Sequence, residues 1–336
     1  MSKKLLLHIG TGKTGSSSIQ EALKTLKVPN IAYPIINGSG NQNIDVIFKS
    51  YEKSGRGVKS NFNEEQFQEF KSGISDRLKI HLDGSENLII SSEYLFDCSA
   101  DQVERIYHYF DGSGFTDKRI VIYLRNPASY YLSLVQQRLK ASHSFPDPQN
   151  FQMKIMAKIL RWKEVFGSES IIIREFDQKA LIGGDVVSDF SCILKEYFDA
   201  TVRMGKVRVN ESISSEGMKI IQDYRRSHYS DQDNFFFRDS SKLVAHLMSL
   251  YKKGFGSKPT LRESVYLCVL RNHIDDIDLL NREYGIFHKE KRLLDDQFGF
   301  NVDLEGACEL SGILENDLGP DVINSYHVEL LKCLLD

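Results

Sequence analysis

The first turn of the chain is its strongest constraint. The run Lys3-Lys4-Leu5-Leu6-Leu7-His8-Ile9 leads straight into Gly10-Thr11-Gly12-Lys13-Thr14-Gly15-Ser16-Ser17-Ser18. A short apolar run bounded by glycines reads as a buried strand, and Ile19, Ala22, Leu23 and Leu26 then recur at helical spacing. Strand, loop and helix in that order form half of a βαβ unit. The loop combines three glycines, a lysine and hydroxyl side chains, so its backbone N–H groups can converge while the helix dipole adds partial positive charge. Such a loop is suited to hold an anion.

What the loop lacks narrows the choice of anion. A phosphate loop of the ATP- and GTP-hydrolysing kind carries a glycine five positions before its Gly-Lys pair, and here that position is Leu7. Those enzymes also place a magnesium-binding carboxylate after a later apolar strand. The best later strand, residues 119–124, ends instead in Arg125. A nucleotide-dependent kinase with a degenerate loop is therefore the rival enzyme reading, and Leu7 and Arg125 count against it. A cation at that strand end points to a second anion.

Further apolar strands are expected at residues 87–90, 119–124 and 170–174, with a short one within 28–34. Helical segments separate them at residues 64–79, 101–110 and 153–166, the last holding the single tryptophan, Trp162, as a core residue. Residues 37–43 read as a loop and residues 142–150 as a loop or lid. From Glu216 onward helical patterns dominate, including one long stretch over 261–283. The expected fold is α/β: a phosphate-loop-like, doubly wound parallel sheet flanked by helices, with a helical C-terminal extension. Residues 1–215 form the core, and residues 216–336 pack on the same domain.

The hydrophobic and charged fractions, 41% and 26%, are those of an ordinary globular protein and exclude a disordered or fibrous chain. The net charge of −3 gives no overall electrostatic case for nucleic acid. Cys98, Cys192, Cys268, Cys308 and Cys333 are scattered and odd in number, so they read as reduced core residues rather than a disulfide framework or zinc site. No apolar run reaches membrane-spanning length or makes a signal peptide, so cytoplasm is the expected location.

The loop Gly10–Ser18 behind an apolar strand, together with Arg125-Asn126-Pro127 and Ser133, resembles the sulfotransferases that use 3'-phosphoadenosine 5'-phosphosulfate (PAPS), above all their bacterial, carbohydrate-directed branch. The similarity extends to about Ser215. It implies that Gly12, Lys13, Thr14, Gly15, Ser16, Ser17 and Ser18 grip the 5'-phosphosulfate. Arg125 and Ser133 would grip the 3'-phosphate, which suits a planar guanidinium and a helical hydroxyl. It further implies a glycan or glycoconjugate acceptor, transfer to a hydroxyl or amine, and no metal. Animal Golgi members carry an N-terminal anchor, and a chain without one is expected to be bacterial. Family members often have a histidine where this chain has Gln42 and Asn43, which leaves room for a non-catalytic nucleotide-binding scaffold of the same descent.

Lys13 is the expected catalytic cation, meeting the oxygen between sulfur and phosphorus as negative charge grows there. Glu93, just past the carboxyl end of the strand at 87–90, is the preferred general base. Its alternative role is to pair with a nearby cation or open a helix. Ser91 and Ser92 position substrate or cap the following turn, and His143 is a second candidate base.

Overall fold

The computed structural model describes residues 3–36, 42–52, 62–200, 204–205, 212–296, 304 and 309–335. In chain order the elements begin with β1 (Lys3–His8), α1 (Ser16–Lys24), β2 (Ile31–Ala32), α2 (Glu64–Gly84), β3 (Asn87–Ser91) and α3 (Ala100–Asp111). They continue with β4 (Phe115–Leu124), α4 (Pro127–Leu139), α5 (Ile155–Phe166), β5 (Ile171–Glu175) and α6 (Val186–Phe198). Among the described residues seven more helices follow: α7 (Ser215–His228), α8 (Arg238–Lys252), α9 (Glu263–Arg271), α10 (Ile274–Tyr284), α11 (His288–Asp296), α12 (Leu310–Ile313) and α13 (Pro320–Leu335).

The five strands form one sheet in the order β2-β3-β1-β4-β5, and every pair is parallel. Leu5, Leu6 and Leu7 of β1 are all fully buried, as a strand covered on both faces requires. The chain leaves β1 toward the β2 edge, and every later strand-to-strand step runs the other way. With right-handed crossovers this reversal puts α1 on the opposite face from α2 and α3. Accordingly α1 and α6 cover one face, where Leu6, Ile89 and Val121 meet Ile19, Leu23, Phe190 and Leu194. The loop after β1 thus stands where the strand order reverses, the usual place for a ligand in such sheets.

Close packing divides the chain into two units: one of Met1–Arg125 and Lys154–Val209, the other of Asn126–Met153 and Asn210–Asp336. The first holds the sheet with α1, α2, α3, α5 and α6. The second is helical and includes α4, which precedes β5 in sequence.

Several local expectations need correction. Gln42 and Asn43 open a 3-10 helix, Gln42–Phe48, rather than ending a loop; residues 37–41 lie outside the described residues. The stretch 261–283 is two helices, α9 and α10, broken at Asn272 and His273. The break has a physical cause: the buried His273 ring accepts the Met153 N–H at Nε2 (2.8 Å), which puts its own proton on Nδ1, facing the Val269 carbonyl at 2.7 Å. Of the cysteines expected in the core, only Cys98 is buried among the described residues. Cys192 is exposed because α6 buries Val187, Phe190 and Leu194 on its other side, Cys268 and Cys333 are half-buried, and Cys308 lies outside the described residues.

Candidate functional site

The candidate site of the first unit lies at the carboxyl ends of β1, β3 and β4. Two backbone ties extend the β1–β4 ladder into the loop: Thr11 N–H to the Tyr123 carbonyl (2.8 Å) and Tyr123 N–H to the Gly10 carbonyl (2.7 Å). Gly10 (φ 105°), Lys13 (φ 65°) and Gly15 (φ 77°) all adopt left-handed backbone. A Cβ on Gly15 would stand 2.8 Å from Val186 Cγ1, so glycine is required for both conformation and space.

Within the loop the Thr11 carbonyl accepts the Thr14 hydroxyl (2.5 Å) and the Ser16 hydroxyl (3.3 Å). Those two hydroxyls therefore shape the loop, whereas Ser17 is exposed and Ser18 is buried. The first α-helical bond of α1 runs from the Ile19 N–H to the Gly15 carbonyl at 3.1 Å. Amides ahead of it fall in the first turn, where a helix supplies no acceptors of its own. Gly15 is the N-cap, so no side chain caps that turn.

Arg125 follows β4 directly. Its guanidinium is half-buried and donates to the Lys13 carbonyl at 3.4 Å. Burial lowers its pKa, and among the described residues it has no carboxylate partner. The structure thus brings Arg125 and the lysine loop together across 112 positions of sequence.

Glu93 opens a 3-10 turn, Glu93–Leu95, beyond β3. The Ser92 N–H donates to the His8 carbonyl (2.9 Å), and a Cβ on Gly10 would lie 3.0 Å from Glu93 Cα. Glu93 therefore packs against the start of the loop. Ser133 and His143 belong to the second unit. Ser133 is half-buried on α4, while His143 lies in the irregular segment after it, where its carbonyl accepts from Gln222 Nε2 (3.0 Å).

Four polar residues beneath the site were not anticipated. His8 is fully buried, its Nδ1 stands 2.8 Å from Ser91 Oγ, and burial takes its pKa down to about 3. The ring is therefore neutral at neutral pH. Gln20, on α1, donates to the Ser91 carbonyl and to Glu93. The available signal was the polar residue itself: His8 interrupts an apolar strand just before its loop, and Gln20 stands beside the helix's apolar stripe. On the same sheet face the Tyr123 hydroxyl donates to Asp189 (2.6 Å), whose other oxygen accepts the Ile182 N–H (3.1 Å). Among the described residues no cluster of His, Cys, Asp and Glu is placed to hold a metal ion, and no helix is long and apolar enough to cross a membrane.

No protein-family model matches the chain, and no curated protein matches it significantly. Among solved structures, the crystal structure of a sulfotransferase from Alicyclobacillus acidocaldarius is similar at 17% sequence identity. The match covers 52% of this chain and 74% of that one, with a TM-score of 0.31.

Proposed function

We propose that this chain is a PAPS-dependent sulfotransferase acting on a hydroxyl or amine of a saccharide or glycoconjugate, as its sequence motifs imply. One observation carries the reading: Arg125 is a half-buried cation aimed at the lysine loop with no carboxylate beside it among the described residues. Burying an unpaired charge is costly, and a dianionic phosphate offsets that cost through charge-assisted hydrogen bonds. The reading calls for a ligand with two anionic groups, one at the loop and one at Arg125.

PAPS supplies the activated sulfonate. In the transfer to a hydroxyl, a bond forms between the acceptor oxygen and sulfur, and the bond from sulfur to the bridging phosphate oxygen breaks. The acceptor proton passes to Glu93, and the 3',5'-bisphosphate leaves with the electron pair of the broken bond. Lys13 neutralises charge growing on that bridging oxygen. The first-turn amides of α1, Gly12, Thr14, Gly15, Ser16 and the hydroxyls of Ser17 and Ser18 hold the 5'-phosphate, and Arg125 holds the 3'-phosphate. As in phosphoryl transfer, positioning and charge neutralisation supply most of the rate.

Calorimetric titration with 3',5'-adenosine bisphosphate and with ADP, each with and without magnesium, tests the reading. Binding of the bisphosphate without metal, weakened about 10- to 100-fold in Arg125→Ala, is the expected result. A preference for ADP with magnesium would replace it with a kinase reading.

A further inference from the structure

We infer that Gln20 is a positioning residue that fixes the Glu93 carboxylate against the lysine loop, an assignment that rests on Glu93 being the base of the proposed reaction. Gln20 lies seven residues after Lys13 on α1 and is 1% exposed. Its Nε2 donates to the Ser91 carbonyl (3.2 Å) and to Glu93 Oε2 (3.0 Å). A backbone carbonyl and an ionised carboxylate are both acceptors only, so the amide orientation is fixed by chemistry: nitrogen must face them. Each of its two N–H groups then has one acceptor.

This places a rigid link under the site. The main chain entering Glu93 is already set by the Ser92 N–H to His8 carbonyl bond and by the approach of Gly10. Without Gln20 the side chain would still rotate about its own bonds. With it, one carboxylate oxygen is held and Oε1 remains to take a proton from an acceptor hydroxyl. Because Gln20 and Lys13 ride on one helix and the loop that opens it, the same element holds the base and carries the cation that meets the leaving oxygen. Side-chain precision of this kind governs rate more than affinity, since base and acceptor must meet at hydrogen-bond distance.

Two measurements test the assignment. In full-length protein labelled with 15N-glutamine, with the Gln20 side-chain signal identified by its loss in Gln20→Met, the expected result is that this signal shifts in Glu93→Ala. An unmoved signal overturns the link whether or not the protein transfers sulfonate. The second measurement is bisphosphate release from PAPS with soluble oligosaccharides as acceptors. For Gln20→Met the expectation is a fall in kcat of about 10- to 100-fold, with donor KM and calorimetric affinity for the 3',5'-bisphosphate kept within about threefold. Unchanged kcat, or equal loss of bisphosphate affinity and turnover, would overturn the positioning role, the latter by making Gln20 a structural part of the loop. Failure of the wild-type protein to bind the bisphosphate would sink the proposed function, while the labelled-glutamine result would still decide the link.

Discussion

The two units use buried positive charge in opposite ways. In the helical unit Arg225 is fully buried, and its Nη2 donates to the Ala141 carbonyl (2.6 Å) and the Gln232 carbonyl (2.8 Å). Its guanidinium also lies 5.0 Å from the Tyr229 ring and 5.2 Å from the Phe237 ring. Burial lowers its pKa, and Tyr229, Asp233 and Asp239 partly restore it. Among the described residues of the sheet unit, Arg125 has one long bond to a carbonyl, and burial lowers its pKa with no charged group opposing it. Arg225 is committed to the fold; Arg125 retains donors for a ligand. The buried histidines repeat the contrast: His273 has a partner at both ring nitrogens, whereas His8 Nε2 has none among the described residues.

The largest expected effect separates the arginines. Arg225→Met removes the guanidinium donor from the Ala141 carbonyl, which keeps only the Phe235 N–H, and from the Gln232 carbonyl, and should cost about 3 kcal/mol in urea unfolding. Arg125→Met should stay within about 1 kcal/mol of wild type, because the charge it removes is unpaired. Comparable losses from the two would make Arg125 a structural residue and break the comparison.

His8 gives the next effect. Its folded pKa, about 3, lies below its ordinary value of 6.5, so between those limits the unfolded chain binds a proton that the folded chain refuses. Stability from His8 is complete above pH 6.5 and is lost as the pH falls toward 3. Near pH 4.5 the loss should reach about 2.5 kcal/mol. His8→Leu should flatten that part of the stability curve, measured as the difference in slope from wild type. An unchanged slope would show that water reaches the ring.

Much of this arrangement was legible in the sequence, for identifiable reasons. The β1–loop–α1 unit, the strands ending at Ser91, Leu124 and Glu175, and the parallel sheet follow from apolar runs and glycine punctuation, which are local signals. What stayed hidden depends on strand order. Gln20 and Glu93 are 73 positions apart, and only the placement of β3 beside β1 brings them together. The break between α9 and α10 was also hidden, because no glycine or proline marks it and a ring from 120 positions away takes the Met153 N–H. The cysteines misled because composition speaks of burial on average, whereas Cys192 is assigned its side by the helix around it.

Helix starts sharpen the comparison within the sheet unit itself. The N-cap of α6 is Asp185, whose side chain accepts the Ser188 N–H (2.9 Å) and hydroxyl (3.1 Å), so this helix supplies its own anion. Its packing partner α1 begins at Gly15, with no side-chain cap. Gly15→Ala forces a side chain into left-handed backbone and against Val186, and should cost about 2 kcal/mol in urea unfolding. If Gly15→Ala costs nothing, the turn is looser than its packing indicates.

The smallest effect is that of Asp185→Ala, about 1 kcal/mol, the usual value of a lost cap. Its use lies in what it should leave unchanged. The α6 cap is internal and the α1 turn is the one proposed to bind, so the bisphosphate affinity of Asp185→Ala should remain within about twofold of wild type by calorimetry. A larger loss of affinity would mean that the two helix starts act as one anion site, and the contrast between a self-capped helix and an open one would fail.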